Sequence, residues 1–342
     1  MNSHMLIEPD QLIKMQMHHS SKVYKHYHSF LRTTSNKPAA ELTKDFCLNS
    51  SFTSIDDQLA CYEFLYMNDY LDELTTLLQS SCQHLEAVYL YETLLKIGRE
   101  PMSMDDLKAF ESLSFEHPSL KCFHLFLLIY MYYDLKRYTV LDKYTEACYI
   151  TLHKVREPLF YYYMSLRFDE LSFQHYWKTN NLILARKYAF KYISKVLVPR
   201  KLCSMHHNLS QSYVFESFPF SMHHAKQALQ IALQHDFPSE INSIKHNTIP
   251  FIAAYHRRTL NVSTPDVVET AHIALAENKK DRAVEILSSL QSLTPFQESY
   301  LGLATGNSPM LDHAHERFRS EYGDLFFAML PKFYLNRLKS FM

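Results

Sequence analysis

The chain has 342 residues, 47% of them hydrophobic and 21% charged, the balance of a folded globular protein rather than a disordered one. A formal net charge of -1 provides no whole-molecule field to draw nucleic acid or anionic lipid, so any basic surface must be local. Only 4 glycines occur, with neither GxGxxG nor GxxxxGK[ST], which excludes the usual phosphate-cradling loops and disfavours a series of tight hairpins.

The first 45 residues carry the only basic bias: Lys14, Lys22, Lys25, Arg32 and Lys37 stand against Glu8, Asp10 and Glu41. The opening MNSHMLIEPDQL lacks the apolar core of a secretory signal, so a cytoplasmic location is expected. Thr33 to Ala40 (TTSNKPAA) reads as a loop or linker. From about residue 55 helical periodicity dominates. Ser54-Ile55-Asp56-Asp57 has the form of an N-cap followed by acidic residues in the first turn, and Ser103-Met104-Asp105-Asp106 repeats it. The run Cys122 to Tyr133 (CFHLFLLIYMYY) is too short to span a bilayer and is expected to form a helix buried on most sides. Pro118, Pro158, Pro199, Pro219, Pro238, Pro250, Pro265, Pro295, Pro309 and Pro331 should mostly mark element boundaries, since proline suits a helix's first turn and not its interior.

Three segments share the pattern of the second helix in a tetratricopeptide hairpin: Asn180–Ala189, Phe220–Leu229 and Asn278–Leu287. Each has small residues that let two helices approach closely. Their spacing is irregular, so the expected fold is an all-α, tetratricopeptide-like solenoid of helical hairpins over residues 46–342. A short N-terminal helical segment, residues 1–45, precedes it. Such stacks offer a concave face suited to extended peptides.

Motifs for catalysis are absent. The adjacent pairs His18-His19, His206-His207 and His223-His224 point about 100° apart on a helix and suit no common ion, and no HExxH or Cys/His quartet occurs. Six scattered cysteines without CxxC spacing read as thiols in a reducing compartment. Carboxylate pairs such as Asp56-Asp57, Asp72-Glu73 and Asp105-Asp106 sit where helix N-termini favour negative charge. No enzyme, metal or cofactor is expected. Most of the 24 tyrosines and 23 phenylalanines should fill inter-helix space. Arg200, following Pro199 at a helix start, could hold a peptide carboxylate through bidentate charged hydrogen bonds, with Asp324 answering a basic group of the ligand.

From Glu41 to Asn49, ELTKDFCLN resembles a stretch of the arbitrium receptors (AimR), peptide-sensing regulators of lysis and lysogeny in Bacillus phages. The likeness continues through SIDDQLACYEFLYMNDYLDELTTLLQ, EAVYLYETLLKIGRE, NNLILARKYA, ETAHIALAENKKDRAVEIL and DLFFAMLPKFYLNRLKS, in order over roughly residues 41–341. The resemblance implies a helical-repeat receptor for a signalling peptide of about six residues, whose capture alters DNA binding by an N-terminal helix-turn-helix. It implies that Arg200, Asp324 and Phe326 line the peptide pocket, with Gln297 nearby. Gln174 and Lys178 stand where the family has pocket asparagines. Operator DNA would be met by Lys14, Lys22, Lys25 and Arg32.

Fewer residues precede ELTKDFCLN than the family's helix-turn-helix needs, so the reader is degenerate or the chain begins inside it. The chain stops at Lys339-Ser340-Phe341-Met342, without the leucine-rich tail that helps family members dimerise. A homodimer is therefore compatible with the resemblance rather than implied by it. The alternative reading is a peptide-sensing adaptor that sequesters a protein partner without touching DNA.

Overall fold

The two start signals read from the sequence both begin helices. Ser54, in extended backbone, precedes helix α3, and Ser103 makes a full capping box: its hydroxyl accepts from Asp106 N at 3.1 Å, and Asp106 Oδ2 accepts from Ser103 N at 3.0 Å. The computed structural model describes residues 21–81, 83–196 and 198–339, and among these the regular elements are all helical. In chain order they are α1 (Lys22–Leu31), α2 (Asn36–Asn49), α3 (Ile55–Met67), α4 (Leu71–Ser80), α5 (Leu85–Lys96), α6 (Met104–Glu111), α7 (Pro118–Asp134), α8 (Leu141–Leu152), α9 (Pro158–Lys178) and α10 (Leu182–Ile193). There follow α11 (Pro199–Ser212), α12 (Phe218–Gln234), α13 (Pro238–Ser243), α14 (Ile249–Tyr255), α15 (Val267–Ala276), α16 (Lys280–Ser288), α17 (Pro295–Thr305), α18 (Ser308–Ser320) and α19 (Met329–Lys339). A single π-helical turn, Ile244–Thr248, joins α13 to α14.

The prolines fall as expected: each of the ten lies within the first turn of a helix or just before one. The expected loop at Thr33–Ala40 is corrected in its second half. Ser35 is extended and α2 begins at Asn36, with Pro38 in the first turn, where its missing N–H costs no hydrogen bond. The boundary drawn at residues 45 and 46 therefore lies within a helix.

Two compact units emerge. Unit 1 takes the described residues up to Ser172 together with Phe190–Val198, and unit 2 takes Phe173–Ala189 and the described residues from Pro199 onward. Within unit 1, consecutive helices pair (α1 with α2, α7 with α8) and alternate ones stack (α1 with α3, α3 with α5, α5 with α7). Unit 2 repeats the scheme with α15 through α19. This is the packing of helical hairpins in series. The three repeat-like segments supply the close approaches: Ala185, Ala189, Ala225, Ala228 and Ala283 are fully buried.

Helix α7 buries Cys122, Phe123, Phe126, Leu127, Leu128 and Ile129, as its apolar run requires. No helix among the described residues is long and apolar enough to cross a membrane. The centre of unit 1 is ionic, which no sequence pattern signals. Arg167 donates to both Glu63 oxygens, at 2.7 and 3.1 Å, and Tyr91 Oη donates to Glu63 at 2.7 Å. The guanidinium also lies over the Tyr66 ring, 4.5 Å from its centroid. Both charges are essentially inaccessible to solvent, so each depends on the other for its solvation.

Candidate functional site

Helix α11 is the element on which the expected ligand contact sits. Pro199 fixes its first turn, and Arg200, Cys203, His207 and Gln211 recur at helical spacing along one face. That face meets α13 and the π turn. Arg200 Nη1 donates to Glu240 Oε1 at 2.5 Å, and the guanidinium stacks over the Phe237 ring at 4.1 Å. The second oxygen of that carboxylate, Glu240 Oε2, is buried without a hydrogen-bond partner. Such an atom is costly to leave unsatisfied and stands ready for a donor.

Two turns further along, His207 Nε2 lies 2.6 Å from Thr248 Oγ1 and 3.1 Å from Gln211 Nε2. Burial pushes His207 down to about 4, so it is neutral at physiological pH. Thr248 closes the π turn, in which Thr264 Oγ1 donates to the His246 carbonyl and Asn247 Nδ2 to Asp266 Oδ2. His246 Nδ1 is likewise buried and unpartnered. Single π turns often mark functional positions in helices, because the widened turn re-aims backbone and side chains. About 100° round α11, His206 meets a histidine of α12, with its Nδ1 3.0 Å from His224 Nδ1. Burial, aided by the charges of His206, His223 and Arg186, pushes His224 down to about 4.

The other expected contacts gather at the end of α9 and the turn before α19. Gln174 and Lys178 are four residues apart and share a helix face. Lys178 Nζ pairs with Asp324 Oδ2 at 2.5 Å and lies over the Trp177 ring at 4.1 Å, and Leu325 N donates to the Lys178 carbonyl at 2.8 Å. Asp324 Oδ1 accepts from Phe327 N at 2.9 Å, capping the turn. Phe326 is buried in an aromatic cluster with Trp177, Phe215 and Phe327, at centroid distances of 5.9, 4.8 and 5.0 Å. Trp177 Nε1 is buried with no partner. Gln297 occupies the third position of α17, where its side chain accepts from Thr294 N at 2.8 Å in a capping box.

Lys178, Asp324 and Phe326 therefore form one group with Gln174 one turn before Lys178 on α9, Arg200 belongs to another built around Glu240, and Gln297 stabilises a helix start. The sequence missed Glu240, which no motif singles out; it lies in the first turn of the proline-started helix α13.

In unit 1, Lys22 and Lys25 of α1 and Arg32, which caps its C-terminal end, are exposed and spaced so that they share one face. Lys22 is paired with Asp57 at 3.0 Å. Lys14 lies outside the described residues.

Residues 39–338 match the model of the AimR transcriptional regulator-like family. An uncharacterized protein of Bacillus anthracis, pXO2-35, is 25% identical over 225 residues, which cover 62% of this chain and 83% of that one. Among solved structures, phAimR with its ligand superposes with a TM-score of 0.73 at 14% identity, covering 97% of this chain and 98% of the other. The selenomethionine form of phAimR gives 0.70 at 14%, covering 91% and 84%.

Proposed function

The chain belongs to the AimR transcriptional regulator-like family, and from that we propose that it is a peptide-responsive transcriptional regulator of the lysis–lysogeny type. In this reading unit 2 captures a signalling peptide of about six residues, and the basic face of α1 meets operator DNA in the cytoplasm of a bacterial host. The observation that carries the peptide half is Arg200. It is a half-buried guanidinium, pre-stacked on Phe237, whose present partner is a carboxylate of this same chain. A peptide carboxylate offers that guanidinium the same charged hydrogen bond, and the planar fork of the arginine suits a second one beside it. Asp324, with Gln174 beside Lys178, supplies the complementary polar group for a basic side chain of the ligand, and Phe326 backs it. Peptide binding favours one arrangement of the chain by binding it more tightly, and DNA affinity changes with it.

The test of the DNA half is a shift assay on the sequence upstream of the neighbouring genes, across a salt series, with and without peptide. The expected outcome is binding that weakens steeply as salt rises, because lysines and arginine displace counterions, and that responds to peptide. Absent or salt-insensitive binding would sink it. A protein-sequestering adaptor is the second reading. It is favoured by the near-neutral net charge and by the commitment of Lys22 to Asp57. A partner that co-purifies and is released by peptide would support it over the first.

A further inference from the structure

Arg200 of α11 and Glu240 of α13 face each other within unit 2. Their ion pair is open to solvent: the two side chains keep 35% and 21% of their exposure, so an incoming anion reaches the guanidinium without unpacking the core. The carboxylate is also incompletely satisfied. Glu240 Oε1 accepts from Arg200 Nη1 at 2.5 Å, while Oε2 is buried with no hydrogen-bond partner. A carboxylate held in this way forgoes hydrogen bonds that water would give it, so the closed pair is only partly compensated for its desolvation. The guanidinium has a second support. It lies over the Phe237 ring, 4.1 Å from the centroid, and Phe237 is packed in a buried cluster with Cys203, Ala228, Ala232 and Ile244.

We propose that the Arg200–Glu240 pair is a self-blocking latch: Glu240 holds the anion seat on Arg200 until the C-terminal carboxylate of the peptide displaces it. This rests on the reading that Arg200 meets the ligand. The exchange replaces one carboxylate by another, so the guanidinium is never left without a counter-charge. The released Glu240 turns about its side-chain torsions into water, where Oε2 gains the hydrogen bonds it lacks. Its backbone need not move, because it lies between Phe237 and Ile244, both anchored in the same cluster. The chemistry of the seat fixes the ligand class. Only a planar anion matches what Glu240 presents, so the peptide must end in a free carboxylate, and an amidated terminus has no charge to exchange. The latch also sets the response threshold: apparent affinity is the intrinsic affinity scaled by the fraction of molecules whose seat is open. The chain therefore answers to a higher peptide concentration than a bare guanidinium would.

The experiment is calorimetric titration of synthetic peptides, taken from the C-termini of small secreted products encoded beside the gene, into the full chain and its Glu240→Gln, Glu240→Ala and Arg200→Ala forms, and into the double variant Arg200→Ala with Glu240→Gln. Glu240→Gln keeps the shape of the side chain and removes its charge; Glu240→Ala removes the occupant altogether. Melting curves show that each variant is folded. The expected result is binding about tenfold tighter in both Glu240 variants than in wild type, as an open seat requires. Glu240→Gln should bring no gain when Arg200 is already Ala, nor for the same peptide with an amidated C-terminus. Equal or weaker binding in both Glu240 variants would overturn the latch. So would an equal gain in the Arg200→Ala background or for the amidated peptide, since either reports long-range repulsion rather than a shared seat. In those cases wild type still binds peptide and the receptor reading stands. Absence of binding by every form, with every peptide, overturns both.

Discussion

Arg200 and Arg167 are the two guanidiniums on which the residue-level account turns, and they differ in what a sequence can announce. Arg200 follows a proline at a helix start, so its position at the mouth of α11 was readable from its neighbours alone. Its partner Glu240 lies 40 residues away, and no local pattern links the two. Arg167 and Glu63 are 104 residues apart, and each looks like an ordinary surface charge until the helices are stacked. Replacing Glu63 with Gln leaves a buried guanidinium without its counter-charge. We expect a loss of about 3–5 kcal/mol in chemical denaturation, against less than about 1 kcal/mol for Lys22→Ala, whose ion pair with Asp57 is largely exposed on the lysine side. Phe326 shows the converse limit. The family pattern marks an aromatic there, yet whether that ring faces a ligand or a core depends on Trp177 and Phe215, which only the fold brings to it.

Helix-level features were the most legible, because capping, proline placement and small-residue stripes are local. The α11–α12 hairpin buries Ala225 and Ala228, as the repeat pattern requires, and Ala232 just beyond the segment is buried with them. What stayed hidden was the π turn at Ile244–Thr248, since an extra residue in a helical turn leaves no mark on periodicity over so short a span. The α17–α18 hairpin depends on Gly302. A Cβ there would meet Leu311 Cδ2 and Cγ at 3.0 Å, so in Gly302→Ala the buried Leu311 side chain has to give way by a few tenths of an ångström. The expected cost is about 1–3 kcal/mol, from overpacking that outweighs the gain in helix propensity. Gly306, which caps α17 at φ 68°, is a separate case: Gly306→Ala meets no neighbour and should cost only about 1 kcal/mol, through backbone strain. Thermal melts of the two variants should rank Gly302→Ala as the more harmful.

At the scale of the whole chain, protonation couples the buried histidines to stability. His207 and His224 are each pushed down to about 4 by burial, so below pH 6.5 the unfolded chain takes up protons that the folded one refuses. Stability contributed by these groups is present above pH 6.5 and is lost as pH falls toward 4. Glu157 acts in the opposite sense: burial raises it to about 7, so the folded chain holds a proton between roughly pH 4.5 and 7 that the unfolded chain has released. These two histidines against one glutamate leave a net uptake on unfolding of about one proton, and His124, His206 and His256, which burial also lowers, add to it in the same sense. Stability should therefore fall by at least about 1.4 kcal/mol per pH unit on acidification from 6 to 5, measurable by urea denaturation. Replacing His207 with Gln should flatten that slope. The all-helical architecture and the order of its elements were readable from residue 41 onward, while the division into two units, set by long-range packing, was not. The family's regulators suggest the measurement that bears most directly on function: calorimetric titration of synthetic peptides, taken from the C-termini of small secreted products encoded beside the gene, into wild-type protein and Arg200→Ala. Saturable binding of one such peptide that is reduced at least about 100-fold in Arg200→Ala is the predicted result, the loss of a bidentate charged contact being worth roughly 3 kcal/mol. Heat-silent titrations with every peptide, or binding unchanged in Arg200→Ala, would contradict the account.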